Sequence, residues 1–488
     1  MLRKWGILLF YLGVIFAIAG LILRSKELLA ISTIGMCLGY AARDYFSKRR
    51  DSLNVMTVYA IFAMFFFGVG NLVGYLSEEG PYENLFFDYD VREYLFESQV
   101  LAMLGAVVPL VIFDWVARFP IKFRRRFSLP KVGFQVRDIT LLRFSLILMV
   151  GGWAAQFAGA FLVFLGSLSN FIILGPNLAI FLINYRWQSP HTTLPSWSRW
   201  LPYCAMLFEA SFHLMFSSLR VRILWPIAAL LLPYVLLKAL NPRRIVLALL
   251  LILGFMLIFK PVGELRGQVY GTERLREITR RTSVLDSGEA ADDDPDEWGL
   301  LAVLARLSTF NQISQVVDIA EREGFYHGET LQYISYVFIP RLLWPEKPLI
   351  TPGQWFAEKI GQGRQLDEGR FSNAINMTIP GELYLNFGWL GTLAGLSFLG
   401  LLYFLLWGAT NFWTEHSNPL GQAFACLLLM QSMFNGSDVA AIIHMILLYL
   451  GVMGITMLTA FFMGHRKAAT EIKADRRKLK ITPPLRYD

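Results

Sequence analysis

Arginines and one glutamate near a long polar interval, residues 260–378, are the side chains of this sequence best suited to chemistry. Arg220 precedes the interval, Arg341 lies near its end, and Glu382 follows it directly. Guanidinium groups keep their charge at any physiological pH and bind phosphate oxygens through a planar pair of donors. Glu382 could act as a general base or as the salt-bridge partner of Arg341. The pattern predicts a catalytic site in which these three residues bind and activate a phosphate-containing substrate.

Other polar residues are candidates for binding the same substrate. Glu209 and His213 are four residues apart and Arg220 follows seven residues later, so all three share one face of a helix. They form either a polar wall that leads to the site or a buried pair that fixes helix packing. The arginines after residue 259 either bind phosphate or pair with neighbouring acids. The full set of candidate substrate-binding residues is Arg222, Arg266, Arg306, Arg364, Arg370, Glu209, His213 and Tyr384.

Familiar motifs of soluble enzymes and metal sites are absent from the sequence. It contains no Gly-x-x-x-x-Gly-Lys-Ser/Thr phosphate loop, no Gly-x-Ser-x-Gly elbow and no His-Glu-x-x-His. His327 is the one histidine of the polar interval, which disfavours a histidine-rich metal site. Cys37, Cys204 and Cys426 all fall in apolar segments, so neither a disulfide framework nor a zinc site is predicted. We therefore expect no metal and no cofactor.

Apolar helices are the elements that must position these residues. Of the 488 residues, 55% are hydrophobic and 17% are charged, whereas soluble proteins carry about 25% charged residues. A bilayer core needs roughly 20 apolar residues for each helical span. The composition predicts an all-α polytopic membrane protein. Its spans, about twelve by this length criterion, are 5–23, 27–42, 53–75, 97–117, 144–166, 170–185, 201–218, 223–239, 245–259, 383–408, 419–434 and 440–463.

Loop charge predicts how these spans cross the membrane. Basic residues are concentrated at 43–52, 120–143, 238–244 and after residue 465, which favours the cytoplasmic side for all four segments. The connection 77–97 is mostly acidic and is expected outside. The polar interval carries 13 basic and 18 acidic residues. The net charge of +8 therefore reflects membrane topology, and no nucleic-acid partner is expected.

Four parts of the chain follow from this pattern. They are a membrane region at 1–259, a large extracytoplasmic loop at 260–378, a second membrane region at 379–464 and a basic cytoplasmic tail at 465–488. Both termini are expected in the cytoplasm. Within the loop, Leu301, Leu304, Leu307, Ile313 and Val317 recur at helical spacing. They predict an amphipathic helix over 300–320 that lies on the membrane frame.

Three stretches of sequence resemble the O-antigen polymerase and oligosaccharide repeat-unit polymerase families of bacteria. They are Ile-Pro-Arg-Leu-Leu-Trp-Pro-Glu-Lys-Pro at 339–348, Pro-Gly-Glu-Leu-Tyr-Leu-Asn-Phe-Gly-Trp-Leu-Gly at 380–391, and Ser-Ser-Leu-Arg-Val-Arg at 217–222. The number of spans and the place of the large loop are also similar. The sequence-specific part of the resemblance is short, although its architectural part covers most of the chain.

The resemblance implies a membrane glycosyltransferase of the GT-C type in the bacterial cytoplasmic (inner) membrane. Such polymerases move a glycan from undecaprenyl pyrophosphate onto another lipid-linked repeat unit, without a metal or a soluble nucleotide sugar. The family's outer-loop arginines imply that Arg220 and Arg222 hold the pyrophosphate from one side, with Arg341 and Arg306 on the other. Membrane lipids, a chain-length regulator and a flippase are the partners implied. Glu382 is the hypothetical base, with Glu209 and His213 as rivals.

Two other functions fit parts of the sequence. O-antigen ligases share the architecture and, as a family, use a histidine of the large outer loop. His327 is the candidate for that role, although Gly328 beside it is typical of a structural turn. A transporter or flippase of lipid-linked sugars is the third possibility. The absence of internal repeats and the large, asymmetrically placed loop disfavour it. The product class, O-antigen, capsule or exopolysaccharide, stays open at this stage.

Overall fold

Long helices make up nearly all of the chain that the structure, a computed structural model, describes. The described residues are 2–46, 55–77, 92–117, 138–161, 166–188, 192–216, 224–236, 308–336, 344, 346, 352–361, 365–366, 370–371, 375–411 and 439. Before the polar interval the helices are α1 (Leu2–Leu23), α2 (Lys26–Tyr45), α3 (Val55–Ala63), α4 (Gly70–Leu76), α5 (Leu95–Ala117), α6 (Asp138–Phe161), α7 (Gly166–Gln188), α8 (Leu201–Phe216) and α9 (Leu224–Leu236). Then come α10 (Phe310–Glu323), α11 (Pro352–Lys359), the short antiparallel strands β1 (Gln365–Leu366) and β2 (Arg370–Phe371), and α12 (Ile379–Asn411).

Four helical segments of the described chain are long and apolar enough to cross a membrane. They are Arg3–Leu23, Met56–Leu76, Arg92–Ala117 and Ile379–Leu405, and they match four of the predicted spans. Helices α2, α6, α7, α8 and α9 coincide with five more predicted spans without meeting the same criterion. The spans predicted at 245–259, 419–434 and 440–463 lie outside the described residues. The predominantly helical class and the presence of helices long and apolar enough to span a membrane are therefore confirmed, while the total of about twelve spans stays a prediction.

Glycines allow α1 and α2 to pack at backbone contact. A Cβ atom at Gly39 would lie 2.4 Å from the backbone nitrogen of Phe10, and one at Gly13 would lie 2.8 Å from that of Met36. Small residues four apart, here Gly35 and Gly39, commonly mediate such contacts because helices in a membrane associate through close van der Waals packing. The side of α1 away from α2 carries many exposed large apolar residues. The arrangement suits a helix at the lipid-facing edge of the bundle.

Helix α5 is the centre of the first half of the bundle, and it contacts α2, α10 and α12. At one end, Arg24 in the α1–α2 turn donates to Glu97 at 3.1 Å. At the same end the backbone N–H of Thr309, just before α10, donates to Asn71 of α4 at 2.8 Å. We call this end of the bundle the interval end, because the polar interval packs there.

Helix α12 reverses direction at Gly388. That residue has φ 64° and ψ −159°, a conformation that is essentially restricted to glycine. A Cβ atom at Gly395 would lie 2.6 Å from the Leu383 side chain, yet residues twelve apart in a straight helix are about 18 Å apart. The segment is therefore a hairpin of two antiparallel arms, 379–387 and 389–411.

The first arm starts deep in the bundle. A Cβ atom at Gly105, in the middle of α5, would lie 2.9 Å from Pro380, and one at Gly400 would lie 2.8 Å from the carbonyl oxygen of Pro109. The chain therefore enters beside the middle of α5, rises to the interval end along the first arm, and descends again along the second. The predicted span 383–408 corresponds to this helix. Because the helix reverses at Gly388, only its second arm is placed to cross the membrane. Sequence reasoning did not anticipate a broken helix here.

Candidate active site

A buried polar network holds the start of α10 in the bundle. Asn71 accepts from the backbone N–H of Thr309 and donates its amide to Gln99 at 2.9 Å. Gln99 donates in turn to the carbonyl of Phe67 at 3.0 Å. Phe67 belongs to a π-helical turn, Met64–Val69, of the kind often found at functional sites. The network fixes where the described part of the polar interval meets the spans.

The amphipathic helix predicted at 300–320 is observed as α10, Phe310–Glu323. The first part of the prediction, up to residue 307, lies outside the described residues. The buried residues of α10 are Phe310, Ile313, Ser314, Gln315, Val316, Val317, Ile319 and Ala320. These residues cover most of the circumference of the helix, while Asn311 and Asp318 on the remaining side are half-buried. Helix α10 is therefore largely covered by protein and packs against α5 and α12, more deeply than a helix that rests on a surface.

The turn after α10 closes over the first arm of α12. Tyr326 and His327 donate their backbone N–H groups to the carbonyls of Leu385 and Asn386, both at 3.0 Å. His327 and Gly328 have φ angles of 50° and 93°, which is typical of a type I′ turn. The structural turn predicted beside His327 is therefore observed. The turn supplies donors to carbonyls that the helix break leaves without helical partners.

Glu382 lies on the first arm and has no exposed surface. Its Oε1 atom accepts from the hydroxyl of Thr330 at 3.2 Å and lies 3.5 Å from the hydroxyl of Tyr333. Its Oε2 atom accepts from the backbone N–H of Val439 at 2.7 Å. A buried carboxylate needs donors on both oxygens, and two separate parts of the chain, the 3₁₀ turn Glu329–Ser335 and Val439, supply them here.

Asn386 organises these contacts. Its side-chain oxygen accepts from the backbone N–H of Gly328 at 2.9 Å, so its amide nitrogen must point the other way. That nitrogen donates to the Thr330 hydroxyl at 2.7 Å and to the backbone carbonyl of Glu382 at 2.8 Å. The donors run in one direction, from Gly328 through Asn386 and Thr330 to Glu382. The chain of hydrogen bonds ends on the carboxylate.

Two other residues of the same segment have structural roles. Tyr384, a predicted substrate-binding residue, is buried, with ring centroids 5.8 Å from Phe325 and 5.1 Å from Trp389. Its ring therefore takes part in the packing of the reversal. Thr378, at the start of the first arm, has φ 64°, which is rare for a β-branched residue. Its hydroxyl accepts from the backbone N–H of Gly381 at 3.3 Å and caps the arm.

Glu209 and His213 meet, as their spacing predicts. Nε2 of His213 lies 3.2 Å from Oε1 of Glu209, although the angle does not make a hydrogen bond. Glu209 also accepts from Nε1 of Trp153 at 2.7 Å and from Nε2 of Gln156 at 2.8 Å. The hydrogen bonds from Trp153 and Gln156 link α8 to α6, whereas the contacts of Glu382 involve other elements. The structure groups the pair with helix-packing partners, and its described contacts do not join it to Glu382.

Most of the predicted arginines lie outside the described residues. These are Arg220, Arg222, Arg266, Arg306, Arg341 and Arg364. Arg370 is placed in β2, where its backbone pairs with Leu366. The arrangement of the guanidinium groups around a phosphate stays a prediction.

An ion pair at the surface joins α10 to α11. Lys359 donates to Glu323 at 2.8 Å, and the Tyr326 hydroxyl donates to the same carboxylate. The Lys359 and Tyr326 hydrogen bonds lower the pKa of Glu323, and the bond to Glu323 raises the pKa of Lys359. Tyr326 also packs its ring on Trp355 at 5.2 Å. The pair therefore ties α11 to the turn that closes over the first arm.

Sequence reasoning missed Thr330 and Tyr333 as neighbours of Glu382. Neither residue belongs to a motif, and each is about fifty positions away in the chain. The Pro-Gly-Glu-Leu-Tyr-Leu-Asn stretch did place Asn386 four residues after Glu382. Within the described residues there is no group of three or more histidine, cysteine or acidic side chains that could hold a metal ion.

Comparison with known proteins identifies a family. The profile of a family described as Domain of unknown function (DUF8712) matches residues 55–467. No curated protein and no solved structure matches the chain.

Proposed function

The chain belongs to the family described as Domain of unknown function (DUF8712), and we propose that it polymerises undecaprenyl-pyrophosphate-linked oligosaccharide repeat units. In this proposal it is a metal-independent GT-C-type glycosyltransferase of the bacterial cytoplasmic membrane, with about twelve spans. Both termini are cytoplasmic and the polar interval lies outside. The growing glycan is transferred to a lipid-linked acceptor at the outer face of the membrane.

The observation that carries the proposal is the buried carboxylate of Glu382. It lies on a folded-back arm beside the polar interval, held by Thr330 and by the backbone of Val439. Ionisable groups are costly inside a membrane protein and are retained mainly where they act on a substrate or an ion. The arm also carries the Pro-Gly-Glu-Leu-Tyr-Leu-Asn stretch on which the resemblance to repeat-unit polymerases rests.

The proposed reaction is a displacement at the anomeric carbon of the growing glycan. A hydroxyl oxygen of the acceptor sugar forms the new bond to that carbon while the bond to the pyrophosphate oxygen breaks. The bonding electrons leave with undecaprenyl pyrophosphate, and the hydroxyl proton passes to Glu382. Arg220 and Arg341, assisted by Arg222 and Arg306, stabilise the charge that grows on the leaving group. Fixed cations stabilise that charge more in the transition state than in the ground state.

Ligation is the second candidate, because His327 is exposed on the turn that closes over the Glu382 arm. In a ligase, that side chain would face the substrate and the glycan would pass to a different acceptor. Profiling the lipid-linked oligosaccharides of a deletion strain separates the two functions. Loss of a polymerase leaves single repeat units on the carrier, whereas loss of a ligase leaves long chains. Units trapped on the inner leaflet would instead indicate a flippase and contradict both candidates.

The role of Glu382 can be tested in the same strain. Glu382→Gln keeps the shape of the side chain but removes the base, and we expect polymer yield to fall by about 10²–10⁴-fold. Glu323→Gln makes the same change at the surface ion pair and should leave the polymer ladder unchanged. A normal ladder from well-expressed Glu382→Gln protein would overturn the assignment of Glu382 as the base.

A further inference from the structure

Thr330 is the residue through which the polar interval reaches the buried carboxylate. Its hydroxyl accepts from Nδ2 of Asn386 at 2.7 Å and donates to Oε1 of Glu382 at 3.2 Å. A hydroxyl has one donor and two acceptor sites. With Asn386 occupying one acceptor site, the hydrogen of Thr330 is directed at Glu382.

The orientation of Thr330 is set by backbone groups on both sides. Asn386 cannot turn its amide over, because its oxygen accepts from the backbone N–H of Gly328 and its nitrogen donates to the carbonyl of Glu382. Thr330 is itself the second residue of a 3₁₀ turn, Glu329–Ser335. The hydroxyl is therefore held in place before any substrate binds, which is what a positioning group requires.

We propose that Thr330 is a positioning and proton-transfer residue for Glu382, an inference that rests on the function proposed above. The hydroxyl of Thr330 fixes the position of Oε1 of Glu382 through its hydrogen bond. The same bond stabilises the carboxylate form, which can accept a proton. Among the described contacts of Glu382, the Val439 N–H cannot carry a proton onward and Tyr333 is buried. Thr330 is half-buried, and its neighbours Glu329 and Gln332 are exposed. Of the two described hydroxyls that contact Glu382, that of Thr330 therefore belongs to the more exposed residue.

The transfer balances with water as the only other reactant. After the reaction, Oε1 of Glu382 carries a proton and no longer accepts, so the Thr330 hydroxyl rotates about its Cβ–Oγ bond until its hydrogen faces a water molecule and its free acceptor site faces Oε1. The proton on Oε1 then moves to Oγ of Thr330 while the original Thr330 hydrogen leaves to that water. Glu382 returns to its carboxylate form and Thr330 remains a neutral hydroxyl. The bond from Asn386 to Thr330 persists throughout, because the free acceptor site of Oγ receives the incoming proton.

Two substitutions separate the hydroxyl from the shape of the side chain. Thr330→Val keeps the volume and removes the hydroxyl, whereas Thr330→Ser keeps the hydroxyl and removes a methyl group. We expect Thr330→Val to lower polymer yield at least tenfold and Thr330→Ser to retain most of it. Equal polymer yields from Thr330→Val and Thr330→Ser would overturn the role of Thr330 in the reaction. If Thr330→Val does not accumulate, Thr330→Ala replaces it in the comparison.

A second measurement does not depend on polymer formation. Dicyclohexylcarbodiimide is an apolar reagent that modifies protonated carboxyl groups, and its adduct on Glu382 can be quantified by peptide mass spectrometry in purified full-length protein. Removing a donor to the carboxylate disfavours the charged form, so labelling should rise several-fold in Thr330→Val and stay near wild type in Thr330→Ser. Glu382→Gln defines the background. Equal labelling of Glu382 in wild type and both variants would overturn the positioning role. A deletion strain that still makes normal polymer would overturn the proposed function. If the labelling of Glu382 nevertheless differs between Thr330→Val and Thr330→Ser, the positioning role stands and the proposed function alone is overturned.

Discussion

At the scale of single residues, buried charges in this protein are surrounded by donors from distant parts of the chain. Glu382 is one example and Asp138 at the start of α6 is another. Asp138 forms an ion pair with Arg186 at the end of α7 and accepts from the backbone N–H and the hydroxyl of Thr193. Burial opposes ionisation of Asp138, but the bonds from Arg186 and Thr193 outweigh it and hold the pKa of the carboxyl below its ordinary value.

Asp138→Asn should therefore destabilise the protein in a way that depends on pH. Because the pKa is lowered in the folded state, the carboxylate stabilises the fold above the ordinary aspartate value of about 3.9. That contribution falls as the pH drops through the lowered value. At neutral pH we expect a loss of about 1–3 kcal/mol, measured by thermal unfolding in detergent, and a smaller difference below about pH 4.

The matched control changes a half-buried carboxylate whose partner, Arg322, is exposed. Asp318→Asn removes the surface pair between Asp318 and Arg322 on α10, and exposed pairs contribute about 0–1 kcal/mol. If both substitutions lower the unfolding temperature equally at neutral pH, the Asp138 cluster is no stronger than a surface pair.

At the scale of elements, the hairpin of α12 decides where the candidate site lies. The first arm places Glu382 near the middle of α5 rather than at the end of a span, and the turn at 326–328 holds the arm there. Backbone that leaves a helix at membrane depth is tolerated where protein covers it. Here Gly388 adopts the backbone angles of the reversal, and the turn at 326–328 covers it and donates to the carbonyls before it.

Cross-linking can establish the hairpin directly. In a background without the three native cysteines, Leu383→Cys combined with Gly395→Cys should form a disulfide on mild oxidation. Their Cβ atoms are close only if the helix folds back. Leu393→Cys with Leu405→Cys has the same spacing within one arm and should not cross-link. A straight helix would give no cross-link in either pair.

The contact between α1 and α2 depends on the missing side chain of Gly39. Gly39→Ala would bring a Cβ atom to 2.4 Å from backbone, so we expect lower yield and a lower unfolding temperature. Gly151→Ala in α6 meets nothing within 4 Å and should be neutral or stabilising by about 0.5–1 kcal/mol, as for glycine in any helix. An unfolding temperature of Gly39→Ala at or above wild type would contradict the close packing.

At the scale of the whole molecule, the charge distribution predicts which faces are outside. Ser335, in the turn after α10, is expected outside, and Ser196, near the α6–α7 ion pair, is expected in the cytoplasm. Single Ser335→Cys and Ser196→Cys variants should react differently with a membrane-impermeant maleimide in intact cells. We expect label on the first variant only. The reverse result would place the polar interval in the cytoplasm and remove the basis for an external polymerase.

Both residues are exposed in the structure, so equal labelling after membranes are opened provides the control for reactivity.

The amino-acid sequence alone determined the helical class with helices apolar enough to span a membrane, the approximate bounds of eight described spans before the interval, the meeting of Glu209 with His213 and the turn at Gly328. These features depend on composition, on helical periodicity and on residues only a few positions apart, all of which can be read locally. The tertiary structure decided the reversal at Gly388, the enclosure of α10 and the partners of Glu382. A Gly-Trp-Leu-Gly stretch fits a straight span as well as a hairpin, so the choice depends on packing against α5. Thr330 and Glu382 meet because the chain folds back, and no local pattern records a contact across 52 positions.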